Sequence, residues 1–182
     1  DLVIPNNSIL KAFRKNILEY FTKDKAQLAK ANDIIKAIFD GKALDLSNAL
    51  EDALAQYISV RDFSSNEPKE SYYQGFLNGF FSSQKDMLKG YASNAELGNG
   101  YADITFKNKR KDLAVIIEIK HANDEFQNQA KATEALEQIE KNKYVLNYKN
   151  DGYVTKIFCY GICFNKKSSL SMKSAISRSV KL

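Results

Sequence analysis

Residues 113–120 read Leu113-Ala114-Val115-Ile116-Ile117-Glu118-Ile119-Lys120. The opening apolar run leaves no polar face, so the segment is expected as a strand in the middle of a sheet covered on both sides. Its end breaks that pattern. Side chains alternate along a strand, so Glu118 and Lys120 share one face while Ile119 points to the other. A carboxylate and an ammonium on a half-buried sheet face cost free energy unless they are paired, hydrated or bound to something. Two readings follow. One is an ion pair between Glu118 and Lys120; the other is a metal-ligating carboxylate beside a lysine that touches a phosphate or an attacking water.

The segment before it adds a second acid. Tyr91–Leu97 and Tyr101–Phe106 flank Gly98-Asn99-Gly100, a hairpin signal, and Asp103 interrupts the second strand. With Asn99-Gly100 as the turn, Glu96 faces Asp103. Two carboxylates directly opposite repel each other, and a divalent cation would reverse that sign. A turn at Gly98-Asn99 would instead move Glu96 out of that pairing.

Further out, Lys107–Asp112 reads as a charged turn, about Glu125 to Tyr148 as one long helix, and Tyr153 to Phe164 as a strand. Ser168 to Leu182 reads as a last edge strand or a loose tail. Toward the N-terminus, Ile9, Leu10, Phe13, Ile17, Leu18 and Phe21 repeat at helical spacing, with Asn7 or Ser8 as a cap. A second helix is expected from about Asp24 to Asp40, on Leu28, Ile34, Ile35, Ile38 and Phe39, stopped by Gly41. A third starts near Ser47 and buries Leu50, Leu54, Tyr57 and Ile58. Arg61 to Glu67 reads as a loop, and Pro68 opens a fourth helix through Tyr72, Tyr73, Phe76, Leu77, Phe80 and Phe81. These aromatics read as core, and the helix as central. The order implies an α/β fold, helices covering a sheet, with a helical cap over 1–60 and a core over 61–182.

Composition bounds the rest. At 182 residues, 44% hydrophobic and 12% aromatic, the chain is not disordered or low-complexity. Its longest apolar run, Ile157 to Phe164, is far short of the ~20 residues a helix needs to cross a bilayer. No secretory signal is visible at its start, and a chain that opens on Asp1 rather than Met is expected to be an excised piece of something longer. Residues 141–182 carry nine Lys/Arg against one Asp, on a chain of net charge +5. That asymmetry suits a nucleic-acid-facing surface, or ordinary solubilising lysine. Cys159 and Cys163 lie roughly 13 Å apart along a strand, too far for a disulfide. They are expected as buried thiols in a reducing, cytoplasmic compartment.

Asp103, then fourteen residues, then Glu118-Ile119-Lys120, resembles the PD-(D/E)xK nuclease superfamily. Tyr101-Ala102-Asp103 stands where the superfamily's name has Pro-Asp. Four stretches resemble, more narrowly, the nuclease-like domain found C-terminal to AAA-type ATPase modules. They are Ile4-Pro5-Asn6-Asn7, Glu70-Ser71-Tyr72-Tyr73, 94–103, and the run from Gln138 to Tyr144. No Walker-type loop occurs in the sequence, so an ATPase module would lie on the parent chain.

The resemblance implies a restriction-endonuclease-like mixed sheet and a hydrolase cleaving phosphodiesters of nucleic acid, DNA rather than RNA. Asp103 and Glu118 would ligate Mg²⁺ (or Mn²⁺), with the Ile119 carbonyl as a further oxygen, which suits a hard cation that keeps several waters. Lys120 would stabilise charge on the phosphate. Glu70 and Glu96 are candidate auxiliary acids, and Gln138 a candidate to orient a water or the lysine, with an exposed helical amide as the alternative. Tyr144 reads as packing and His121 as a strand-end surface residue. The alternative function is a catalytically inactive nuclease-fold module that binds nucleic acid or protein in an ATPase-associated assembly.

Overall fold

The computed structural model describes residues 7–23, 25–57 and 70–177. Several expectations lie outside those residues: Ile4-Pro5-Asn6, Asp24, Ile58, the 61–67 loop, Pro68 and residues 178–182. So do the side chains of Asn7, Ser8, Ile9, Leu10 and Phe13. Three helices come first, α1 (Asn7–Thr22), α2 (Lys25–Asp40) and α3 (Ala43–Tyr57). Ile17 and Phe21 of α1 and Ile34, Ile35 and Ile38 of α2 are buried, whereas Leu28 is exposed. Gly41 ends α2 at φ +73°.

The third helix starts four residues before Ser47, because Leu46 N already donates to Lys42 O (3.0 Å). Ser47 is no cap. Its hydroxyl donates to Ala43 O within the helix and accepts from another element described below. Helix α4 (Glu70–Ser83) buries Tyr73, Phe76, Leu77, Phe80 and Phe81. Phe21 of α1 packs edge-on against Phe76 and Phe80, so α4 is the central helix.

Five strands form one sheet in sequence order: β1 (Leu88–Leu97), β2 (Gly100–Asn108), β3 (Leu113–His121), β4 (Lys156–Asn165) and β5 (Ser168–Ser177). β3 and β4 are parallel and the other pairs antiparallel, the mixed sheet expected. On β3, Val115, Ile117 and Ile119 face α1–α4, while Ala114 and Ile116 face the other layer. Glu118 and Lys120 therefore belong to the second face.

That second layer is not one long helix. A 3₁₀ turn (Glu125–Gln127) leads into α5 (Asn128–Lys141), and α6 (Leu146–Lys149) follows after a break. Lys143 takes φ +56° there, letting Tyr144 fold back and donate from its hydroxyl to Tyr101 O (2.8 Å). The same break presents the Asn142 carbonyl to the β1–β2 turn, where Asn99 N donates to it (2.9 Å). The turn is Gly98-Asn99, with Leu97 opposite Gly100 and Glu96 opposite Tyr101. Gly98 sits at φ +54°, and a Cβ there would strike that carbonyl. The register that would have set Glu96 against Asp103 is thus excluded.

β4 begins at Lys156 rather than Tyr153, because Asp151–Val154 forms a turn and the Thr155 and Lys156 N–H groups both donate to Asp112 O. Its two cysteines are buried and free. Within the described residues, Ser168–Ser177 is an edge strand and not a loose tail. Its N-terminal half is closed by α3: Ser169 N donates to Glu51 Oε1 and Ser171 N to Ser47 Oγ, each at 2.8 Å.

Gly161 lies beside Glu118 in the β3–β4 register, and α5 sits directly on it. A Cβ there would run into the Ala132 carbonyl and press on Ala135 and Leu136. Gly161→Ala is therefore expected to destabilise the protein by about 1–3 kcal/mol, as overpacking against backbone does. Urea denaturation of the two proteins measures it.

Candidate active site

Antiparallel pairing between β2 and β3 stops at Ile104↔Ile117. Beyond it the strands part, leaving a fork with Asp103 on one arm and Glu118, Ile119 and Lys120 on the other. Asp103 Oδ2 accepts the Ile119 N–H at 2.8 Å, replacing the backbone acceptor that β2 no longer supplies. N–H and C=O of one strand residue point to the same side, so the Ile119 carbonyl also faces the fork.

Glu118 is 3% exposed. Its Oε1 accepts from Gln138 Nε2, and its Oε2 is buried with no hydrogen-bond partner. Lys120 Nζ donates to Gln138 Oε1 at 2.7 Å. The α5 amide thus bridges the two groups, in place of a direct ion pair between them. Gln138 is half-buried, with both ends of its amide engaged.

On the other arm, Gln74 Nε2 of α4 reaches Asp103 Oδ1 (3.2 Å) and Asn94 Oδ1 (2.8 Å). Sequence reasoning missed Gln74. The available signal was Glu70, Gln74 and Asn78, one turn apart on an otherwise apolar helix. Glu70 is exposed in the first turn of α4, close enough for its charge to raise the pKa of both Asp103 and Glu118. Glu96 is exposed opposite Tyr101 and is not brought into the fork. His121 is half-buried and stacks on Tyr73 at 6.1 Å, on the α4 side. Tyr144 is buried packing with a bonded hydroxyl. Of the C-terminal lysines, Lys156 and Lys173 both lie over the Phe158 ring, while Lys167 donates to Ala55 O.

Burial raises the Asp103 pKa most; the Ile119 N–H opposes it, Glu70 adds to it and Lys120 subtracts. Burial also dominates at Glu118, followed by the Asp103 charge, against the pull of Lys120 and the Asp103 backbone, and the result is a pKa of about 8. Among the described residues, no three His, Cys, Asp or Glu side chains group closely enough to hold a metal ion. The donors nonetheless fit a hard cation that needs only one or two carboxylates plus water. They are two carboxylates whose charge is disfavoured, one orphaned carboxylate oxygen, and a backbone carbonyl facing the same gap.

The raised pKa makes the metal-free protein sensitive to pH. Between about 4.5, the ordinary value, and about 8, folded Glu118 keeps a proton that the unfolded chain releases. Stability from this group is therefore full below pH 4.5 and falls as pH rises through 8. Glu118→Gln is expected to lack that decline, to match wild type near pH 4.5, and to exceed it at pH 8 and above. Urea titrations in EDTA across pH 4.5 to 9 give the difference, with a slope of up to about 1.4 kcal/mol per pH unit.

No match to the chain is found among curated proteins. A family model, described as the PD-(D/E)XK nuclease superfamily, matches residues 68–174. The matched region runs from just before α4 into β5, takes in the whole fork, and leaves α1–α3 outside. It covers more than half of the chain and includes Asp103 and Glu118-Ile119-Lys120, the pattern that names the group. The protein belongs to the PD-(D/E)XK nuclease superfamily.

Proposed function

We propose that the protein is a divalent-metal-dependent nuclease that hydrolyses phosphodiester bonds of DNA. Asp103 and Glu118 hold Mg²⁺ (or Mn²⁺), with the Ile119 carbonyl as a further ligand. The observation that carries this reading is Glu118 Oε2, buried and without a partner in the fork that also holds Asp103. A buried acceptor with no donor costs about 1–3 kcal/mol, and a hard cation is the partner that oxygen suits. When bound, such an ion activates water and stabilises the phosphoryl oxygens.

The chain's own side chains do the remaining work. The Lys120 ammonium gives one hydrogen to Gln138 and keeps its others for phosphate oxygens. There its charge opposes the negative charge that develops during displacement, an effect worth about 3 kcal/mol. Gln138 acts as a positioning residue for Lys120 and Glu118 together, and Glu70 is an auxiliary acid at the mouth. Glu96 has no part in this assignment. The stretches resembling domains beside AAA-type ATPases support an ATPase module on the parent chain. The division into a cap over 1–60 and a core over 61–182, and a cytoplasmic location for the two free thiols, belong to the same proposal.

The test is cleavage of plasmid and single-stranded DNA with Mg²⁺, Mn²⁺ or EDTA, by wild type and by Lys120→Met, which keeps the aliphatic stem. Wild type is expected to cut only with metal. Lys120→Met is expected to bind Mn²⁺ and melt within a few degrees of wild type, yet cut at least about a hundredfold more slowly. Undiminished cutting in EDTA, or a wild-type rate from folded Lys120→Met, rejects the reading.

A further inference from the structure

The polar stripe on α4 makes two different kinds of contact. Asn78 Nδ2 donates to Ser93 Oγ at 3.0 Å and its Oδ1 accepts from the Tyr91 hydroxyl. Both contacts fasten the helix to β1 and neither touches the fork. One turn earlier, Gln74 Nε2 meets only oxygens: Asn94 Oδ1 at 2.8 Å, Asp103 Oδ1 at 3.2 Å and the Asp103 carbonyl at 3.5 Å. Asn94 lies between the pairs Ser93↔Ile104 and Ala95↔Ala102, and so across from Asp103. It holds φ +52°, a left-handed conformation that Asn tolerates better than most residues.

We infer that Gln74 is the positioning residue for Asp103, with Asn94 as its anchor. An ionised carboxylate is acceptor-only, and a single donor leaves it free to swing about that bond. Here Ile119 N–H holds Oδ2 and Gln74 holds Oδ1, so two elements from different parts of the chain fix the carboxylate plane. Asn94 fixes Gln74 in turn. Flipping the amide would set Oε1 against the oxygens of both Asn94 and Asp103, so only one orientation serves. The consequence for metal rests on the function proposed above; the positioning itself does not.

Amide hydrogen exchange in metal-free protein reads the positioning directly, because the Ile119 N–H bonds to the Asp103 side chain. Gln74→Leu removes the donors at similar size. Its Ile119 amide is expected to exchange at least about tenfold faster, by local opening, with a melting temperature close to wild type. Asn78→Ala is the contrast: a lower melting temperature, with Ile119 following global stability alone. Asn94→Gly keeps the backbone conformation and is expected to shift Ile119 in the same direction as Gln74→Leu, which keeps the test open should the leucine variant not fold. In calorimetry with Mn²⁺, Gln74→Leu is expected to bind about 10–100-fold more weakly, as loss of a partner to a ligating group does. Unchanged Ile119 exchange in the folded variants overturns the positioning role, whatever the metal does. Faster exchange with no Mn²⁺ binding by wild type upholds that role and overturns the metal reading.

Discussion

The hydrogen bond from Ile119 N–H to Asp103 Oδ2 is the contact on which the candidate site depends. The β2–β3 ladder has ended two residues earlier, and a buried strand N–H cannot be left without an acceptor cheaply. A side chain fills the place of a backbone carbonyl, so the strands can separate without an orphaned donor. Continued pairing would have brought Asp103 and Glu118 face to face with no gap between them. Separation creates the gap, and burial then makes both carboxylates reluctant to ionise.

Two helices reach this gap from opposite faces of the sheet, each with a glutamine. Gln74 comes from α4 and meets Asp103; Gln138 comes from α5 and meets Glu118 and Lys120. An amide suits both positions because it supplies donors without adding charge beside carboxylates already destabilised by burial. The seat of α5 on Gly161 fixes how close Gln138 comes, since Gly161 lies next to Glu118 in the sheet and under Ala132 of the helix. Lys120 is held by the other end of the same amide. The geometry of the charged groups is therefore set by backbone approach.

The central strand and its polar end were legible in sequence because period two and an apolar run are local signals. Asp103 and Glu118-Ile119-Lys120 could be found, and assigned to a family, for the same reason. What decided the rest was contributed from far along the chain. Gly98-Asn99-Gly100 permits two turns, and the choice is made by the Asn142 carbonyl. The segment 125–148 contains no Gly or Pro to announce a break; Lys143 adopts a left-handed conformation, and the chain beyond it sends Tyr144 back to β2. Ser47 has the composition of a cap but serves β5. Gln74 sits among aromatics that pointed to core, and its role needed the fork to be seen first.

β5 carries a single charged side chain, Lys173, over ten residues, little of the charge that edge strands ordinarily use to repel other strands. Ser47 and Glu51 of α3 do that work by occupying the outward N–H groups of Ser171 and Ser169. The helix responsible lies outside the region that defines the family. Loss of those two contacts would uncover the N-terminal half of β5, an uncharged template for intermolecular pairing. A protein in which Ser47 and Glu51 no longer met β5 would announce the loss first as concentration-dependent self-association, with the groups of the fork still in place.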